Sequence, residues 1–112
     1  MKQEFHSHQF CEPCPSPDSP VIPAGGHTYG PGFAIAWQNG PLGRGPTRKE
    51  PNGAFVETII AAARDRLAFY QSTPFACEAN EKALDHLDEV LLILDQRTKE
   101  RESREVEGTH KV

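Results

Sequence analysis

The chain has 112 residues and a formal net charge of −4, with 37% hydrophobic residues. That length sets one domain as the expectation, and the acidic balance excludes general nucleic-acid binding, which needs clustered positive charge. No apolar run reaches the length of a membrane span, and the start, with Glu4, His6 and His8 and no apolar core, does not read as a secretory signal. A cytosolic protein is expected, and three cysteines, with Cys77 far from Cys11 and Cys14, do not suggest a disulfide framework.

Nine of the 10 prolines and eight of the 9 glycines precede residue 54, so the front half is turn-rich and the back half apolar and periodic. Residues 1–30 are expected to form an extended or disordered Pro/Cys/His-rich arm, because "PCPSPDSPVIP" places a proline every two or three residues. Residues 31–53 follow as a short strand and a Gly/Pro loop. Phe33 to Gln38 alternate weakly, with Ile35 and Trp37 on one face, and "NGP" closes the strand.

From residue 54 to the C-terminus the pattern becomes helical. Phe55, Ile59, Ile60, Ala63, Leu67 and Tyr70 recur at three- and four-residue spacing. Asn52 is the expected cap, Glu57 sits near the helix start, and Pro74 ends the run by disfavouring helical geometry at Thr73. A second helix is expected over roughly 77–104, with Ala83, Leu84, Leu87, Val90, Leu91 and Leu94 as its stripe. The short connection makes the helices antiparallel neighbours. The fold class is therefore α+β, mainly α: an antiparallel two-helix hairpin after a short β/turn region and an irregular arm. Two helices enclose little core, so oligomerisation is the expected remedy.

Four constellations are candidates for chemistry. His6, His8, Cys11 and Cys14 are zinc-type ligands, but their order is unusual and no apolar frame holds them, so incidental membership of an arm is the preferred reading over a metal site. Cys77 and His86 lie two and a half helical turns apart, roughly 13 Å, too far for a nucleophile–base pair; Cys77 reads as a small buried residue and His86 as solvated. Asp65, Glu78, Glu81, Asp85, Asp88, Glu89 and Asp95 read as a helix exterior. Finally, Trp37 offers a flat ring, Asn39 and Asn52 amides, Gly40 and Gly53 close backbone approach, and Arg66 and Arg97 bidentate donors for phosphate. This is a nucleotide-binding inventory, although Trp37 serves equally as an apolar plug over the hairpin.

The stretches "WQNGPLG…EPNGAFVE", "DRLAFYQSTPFACEAN" and "LDQRTKERESREVEGTH" occur here in order. In them the chain resembles the phage helical-hairpin sponges that defeat Thoeris and CBASS immunity, the Thoeris anti-defence 1/anti-CBASS 2 family, and the Thoeris side of it in particular. The resemblance covers about residues 33–110, and its most specific part is "RTKERESREVEGTH". It implies a non-enzymatic protein without a cofactor that sequesters cyclic ADP-ribose isomers, in some members cyclic oligonucleotides too. It further implies a homo-oligomer, a dimer at least and often a hexamer, acting in the infected host's cytoplasm with no DNA, RNA or membrane partner.

Carried over by position, the resemblance gives Trp37 a base-stacking role, Asn52 the place of the pattern's asparagine, and Arg66 and Arg97 phosphate contacts. Asn39, Gly40 and Gly53 complete that set, with Arg101 and Arg104 as additional candidates. Two departures are visible: Glu78 stands where the pattern has an arginine, and Glu105 where it has a glycine. The first bears on whether a second pocket exists. The hairpin itself adds a geometric expectation. A turn near 73–75 sets Arg66 level with about Leu84, so Arg97 lies roughly 20 Å further along the axis. One small ligand reaching both arginines then needs them from different subunits.

Overall fold

The computed structural model describes residues 3–13 and 18–112. It divides into two compact units: residues 1–55 with Gly108–Val112, and Val56–Glu107.

The first unit is built on a three-stranded antiparallel sheet in the order β1 (His6–Cys11), β2 (Pro23–Gly30), β3 (Phe33–Trp37). The expected irregular arm is therefore corrected, because two strands lie within residues 1–30. Neither strand has strong β-propensity: "HSHQFC" and "PAGGHTYG" hold one β-branched residue between them. Pairing across the ladder supplies what propensity does not. His6 stands opposite Tyr29 with their rings stacked at 5.2 Å, and Phe10 meets His27 edge-on at 5.5 Å. On the other face Ser7 Oγ lies 3.2 Å from Thr28 Oγ1, which also accepts the Trp37 indole N–H at 2.7 Å. Proline disfavours a helix, yet it leaves the described segments His6–Cys11 and Pro23–Gly30 free to pair.

β3 follows β2 after Pro31-Gly32 and ends at Trp37, matching the expected strand. A loop with a single 3-10 turn at Gly45–Thr47 leads onward. Before entering the helix, the chain returns alongside β3. Gln38 donates its N–H to the Ala54 carbonyl (3.0 Å), and Ala54 donates to Ala36 (2.7 Å).

The second unit is the hairpin: α1 (Val56–Gln71) and α2 (Glu78–Ser103). The helices run antiparallel: Glu57, Thr58 and Ala61 share a groove with Leu91, Leu94, Asp95 and Thr98, and Arg64 pairs with Asp88. Half-buried Ile59, Ile60, Leu67, Leu84, Leu87, Leu91 and Leu94 form the seam. Phe55, Ala63, Tyr70, Ala83 and Val90, expected in the stripes, are exposed instead. A helix in a two-helix hairpin is covered along one narrow strip, so the wider stripe read from periodicity is only partly covered. No described hydrophobic side chain is fully buried.

The connection 72–77 is closed by side chains. The Gln71 amide accepts the Cys77 N–H (3.0 Å) and donates to the Cys77 carbonyl (3.1 Å). Ser72 and Thr73 hydroxyls donate to the Phe69 and Tyr70 carbonyls, taking up acceptors that the helix end leaves free. Cys77 is thus the exposed N-cap of α2, which corrects its reading as a buried residue. Its place is set by its backbone, not by burial of its thiol.

Candidate functional site

Within the sheet unit, Trp37, Asn39, Gly40, Asn52 and Gly53 come together around the end of β3. What joins them is a reciprocal amide lock. The Asn52 side chain accepts the Asn39 N–H (2.8 Å) and donates to the Asn39 carbonyl (3.0 Å), imitating a strand neighbour. In return, Gln38 Oε1 accepts the N–H groups of Asn52 (2.9 Å) and Gly53 (3.2 Å). Gln38 Nε2 donates to the Gly40 carbonyl at 3.1 Å. The expected capping role of Asn52 is corrected accordingly: α1 begins four residues later, at Val56, and the Asn52 amide is committed to Asn39.

Gln38 is the residue that sequence reasoning missed. Its neighbour Trp37 drew attention, but a glutamine after a strand gives no signal of which backbone groups it will bind. Gly53 is dictated by the same closure. A Cβ there would lie 2.6 Å from both the carbonyl carbon and oxygen of Trp37 and 2.7 Å from the Gln38 nitrogen, all of it backbone that cannot swing aside. Trp37 itself is part-buried, with its only side-chain donor spent on Thr28.

Within the hairpin, the cations divide into two sets. Arg64 makes a two-pronged contact with Asp88, Lys82 pairs with Glu78 (3.2 Å), Lys99 with Asp95 (3.0 Å), and Arg104 with Glu100. The bond to Asp88 raises the Arg64 pKa, and the bond to Arg64 lowers that of the Asp88 carboxyl. Arg101 donates to the Val106 carbonyl at 3.1 Å. Arg66 and Arg97 are both exposed, and neither has a carboxylate partner among the described residues. Arg66 Nε donates to Tyr70 Oη (3.2 Å), and its guanidinium lies 5.1 Å from the ring centres of both Phe69 and Tyr70.

Arg64 opposite Asp88 sets the register of the hairpin, so Arg66 stands level with about residue 86 and not 84. The axial offset to Arg97 is then eleven residues, roughly 16 Å. Arg101 and Arg104 belong to the end of α2. There Glu105, at φ 59°, donates to the Glu102 carbonyl (2.9 Å) and Val106 donates to that of Arg101 (3.0 Å). This is a Schellman closure with a non-glycine residue in its left-handed position. Beyond it, Gly108 accepts the Gly43 N–H at 2.8 Å, and a Cβ on Gly108 would collide with the Gly43 backbone. The "VEGT" ending therefore has a structural use: it closes α2 and then seats on the loop that follows Trp37.

His86 is exposed, 3.8 Å from Glu89, as a solvated histidine would be. His6 and His8 stack on Tyr29 along β1 and Cys11 is exposed, while Cys14 lies outside the described residues. Among the described residues no group of three or more His, Cys, Asp or Glu is placed to hold a metal, and no helix is long and apolar enough to cross a membrane.

Residues 32–99, which include Trp37, the amide lock, Arg66 and Arg97, match the family model described as the Acb2/Tad1 hairpin domain. Thoeris anti-defense 1 of Bacillus phage SBSphiJ7 is 41% identical over 76 residues, covering 68% of this chain and 51% of that relative. The chain thus spans about half the length of the curated relative it matches. β3, the lock, α1 and all but the last turn of α2 fall inside the matched stretch, and the chain belongs to the Acb2/Tad1 hairpin-domain family.

Proposed function

We propose that this protein is a phage anti-immune sponge. It binds and sequesters cyclic nucleotide messengers, chiefly cyclic ADP-ribose isomers such as glycocyclic ADP-ribose, without cleaving them; whether cyclic oligonucleotides are taken as well turns on the second pocket at Glu78. The observation that carries the reading is the pair of exposed arginines, Arg66 and Arg97, left without carboxylates on a surface where other cations are paired. An anion meeting them displaces only water, with no ion pair to break. Family membership and the name of the relative, Thoeris anti-defense 1, point the same way.

In this reading Trp37 stacks on a base, since Thr28 occupies its indole N–H and leaves the ring for contact. Asn39, Gly40, Asn52 and Gly53 form the rim that the Gln38 lock holds rigid. Arg66 and Arg97, roughly 16 Å apart along one hairpin, take phosphates in pockets shared between subunits. Arg101 and Arg104, engaged at the end of α2, play at most an accessory part. Glu78, already paired with Lys82, replaces an arginine of the pattern, so a second pocket would have to work without that cation.

The oligomer, a dimer at least and a hexamer by family analogy, covers the side chains that one hairpin leaves bare: Phe69, Leu92 and Ile93 are 52%, 55% and 56% exposed. The site of action is the cytoplasm of the infected host. The same bare residues also favour a second reading, in which the hairpin pairs with another protein and takes no small ligand.

The test is recovery. Incubating the protein with glycocyclic ADP-ribose, removing free ligand and then heating is expected to release stoichiometric, intact ligand, read by liquid chromatography. Cleaved product would overturn the sponge in favour of an enzyme, and no captured ligand from any cyclic ADP-ribose isomer would favour the pairing module.

A further inference from the structure

Arg66 and Arg97 differ in how they are held. In a helix the side chains three and four residues ahead lean back toward the N-terminus over the residue in question. Phe69 and Tyr70 are those residues for Arg66, and both rings reach its guanidinium. Arg97 has Ile93 four residues before it and Arg101 four after, and makes no comparable contact among the described residues.

A guanidinium carries five N–H donors and can offer either its Nε side or its Nη end to an oxyanion. Tyr70 Oη takes the Nε–H of Arg66 at 3.2 Å. The two rings restrict rotation of the plane, and the Nη end is left for a two-point contact. We infer that Tyr70, assisted by Phe69, is a positioning residue that fixes Arg66 with its Nη end toward an incoming phosphate. This rests on the sponge reading for the identity of the ligand, but the positioning can be measured without it.

An arginine held in advance loses less side-chain freedom on binding, so its affinity depends on the group that holds it. Tyr70→Phe keeps the ring and removes only the hydroxyl. The expected loss in affinity for a phosphate ligand is about three- to tenfold, the range of one hydrogen bond.

The experiment uses the full chain labelled with 15N. It follows solvent exchange of the Arg66 Nε–H and measures binding of inorganic pyrophosphate and of glycocyclic ADP-ribose by calorimetry. Three results together support the inference: Tyr70→Phe speeds Arg66 Nε–H exchange, leaves the melting temperature unchanged, and weakens pyrophosphate binding. The effect on binding should vanish in an Arg66→Ala background, which a merely structural hydroxyl would not require. Exchange that is equally fast in both proteins, or unchanged binding in Tyr70→Phe while Arg66→Ala loses it, overturns the inference and leaves the sponge intact. Pyrophosphate binding that needs Arg66 and Tyr70, without binding of any cyclic ADP-ribose isomer, upholds the positioning and sinks the sponge. If Arg66→Ala binds both ligands as tightly as the parent, the inference is overturned, and the sponge then stands or falls on whether glycocyclic ADP-ribose is captured at all.

Discussion

The sheet unit and the hairpin solve the same problem, a shortage of buried apolar surface, in different currencies. The sheet unit ties backbone to side chain. Gln38 and Asn52 answer the free peptide groups of two loops, and rings on β1 and β2 pair across the ladder. The hairpin ties side chain to side chain at its surface, with ion pairs at exposed positions and a seam that is only half-buried. Exposed ion pairs contribute little each, so the hairpin depends more on what covers its outer residues. The sheet unit should therefore be sensitive to single small substitutions, and the hairpin tolerant of them.

The sharpest way to break that comparison is Gly53→Ala. The added methyl meets the Trp37 and Gln38 backbone at 2.6–2.7 Å, so the lock must open or the strand end must shift. A loss of about 2–3 kcal/mol is expected, the upper range for overpacking, read as a lower urea midpoint. A loss no larger than that of an alanine substitution at an exposed hairpin position would mean that the lock is soft.

This contrast also explains what could be read in the sequence. The helices were legible because periodicity is local, and Pro74 marks the turn where α1 gives way to α2. β3 was legible from its own alternation and the "NGP" that follows. β1 and β2 were not, since β1 finds its partners only in β2, beyond the proline-rich stretch, and "PAGGHTYG" hides its own pairing with nearby β3 behind glycine and proline. The candidate site divides in the same manner. Arg66 and Arg97 stand out by type and resemblance, but which cations the carboxylates would claim depends on the register of the hairpin. What Gln38 would bind could not be read, because the partners of its Oε1 are backbone N–H groups fourteen and fifteen residues on.

A smaller effect of opposite sign is expected at the end of α2. Glu105 adopts φ 59° in the position where a Schellman closure favours glycine. Left-handed geometry costs a residue with a Cβ about 1–2 kcal/mol, partly offset because glycine has more freedom to lose on folding. Glu105→Gly should raise stability by up to about 1 kcal/mol, seen as a higher melting temperature. A destabilised variant would show that the Glu105 side chain contributes more than its backbone costs.

The smallest effect is the pH response of the Arg64–Asp88 contact. Asp88 has its carboxyl pKa lowered in the folded chain by the hydrogen bond from Arg64, against an ordinary value of 3.8. The folded state therefore binds the Asp88 proton less readily than the unfolded state does. The contribution is fully present above the ordinary carboxylate range and is lost as pH falls through and below it. The same bond raises the pKa of Arg64, which stays charged throughout this window and adds no change in it. Asp88→Asn should flatten the acid limb of the stability curve slightly while leaving Arg64 without its counter-charge at neutral pH. Because both groups are exposed to solvent, raised salt should shrink the difference between the two proteins. An acid limb identical in both would show that the contact does not persist in solution, and the hairpin would then rest on its seam and whatever covers its outer residues.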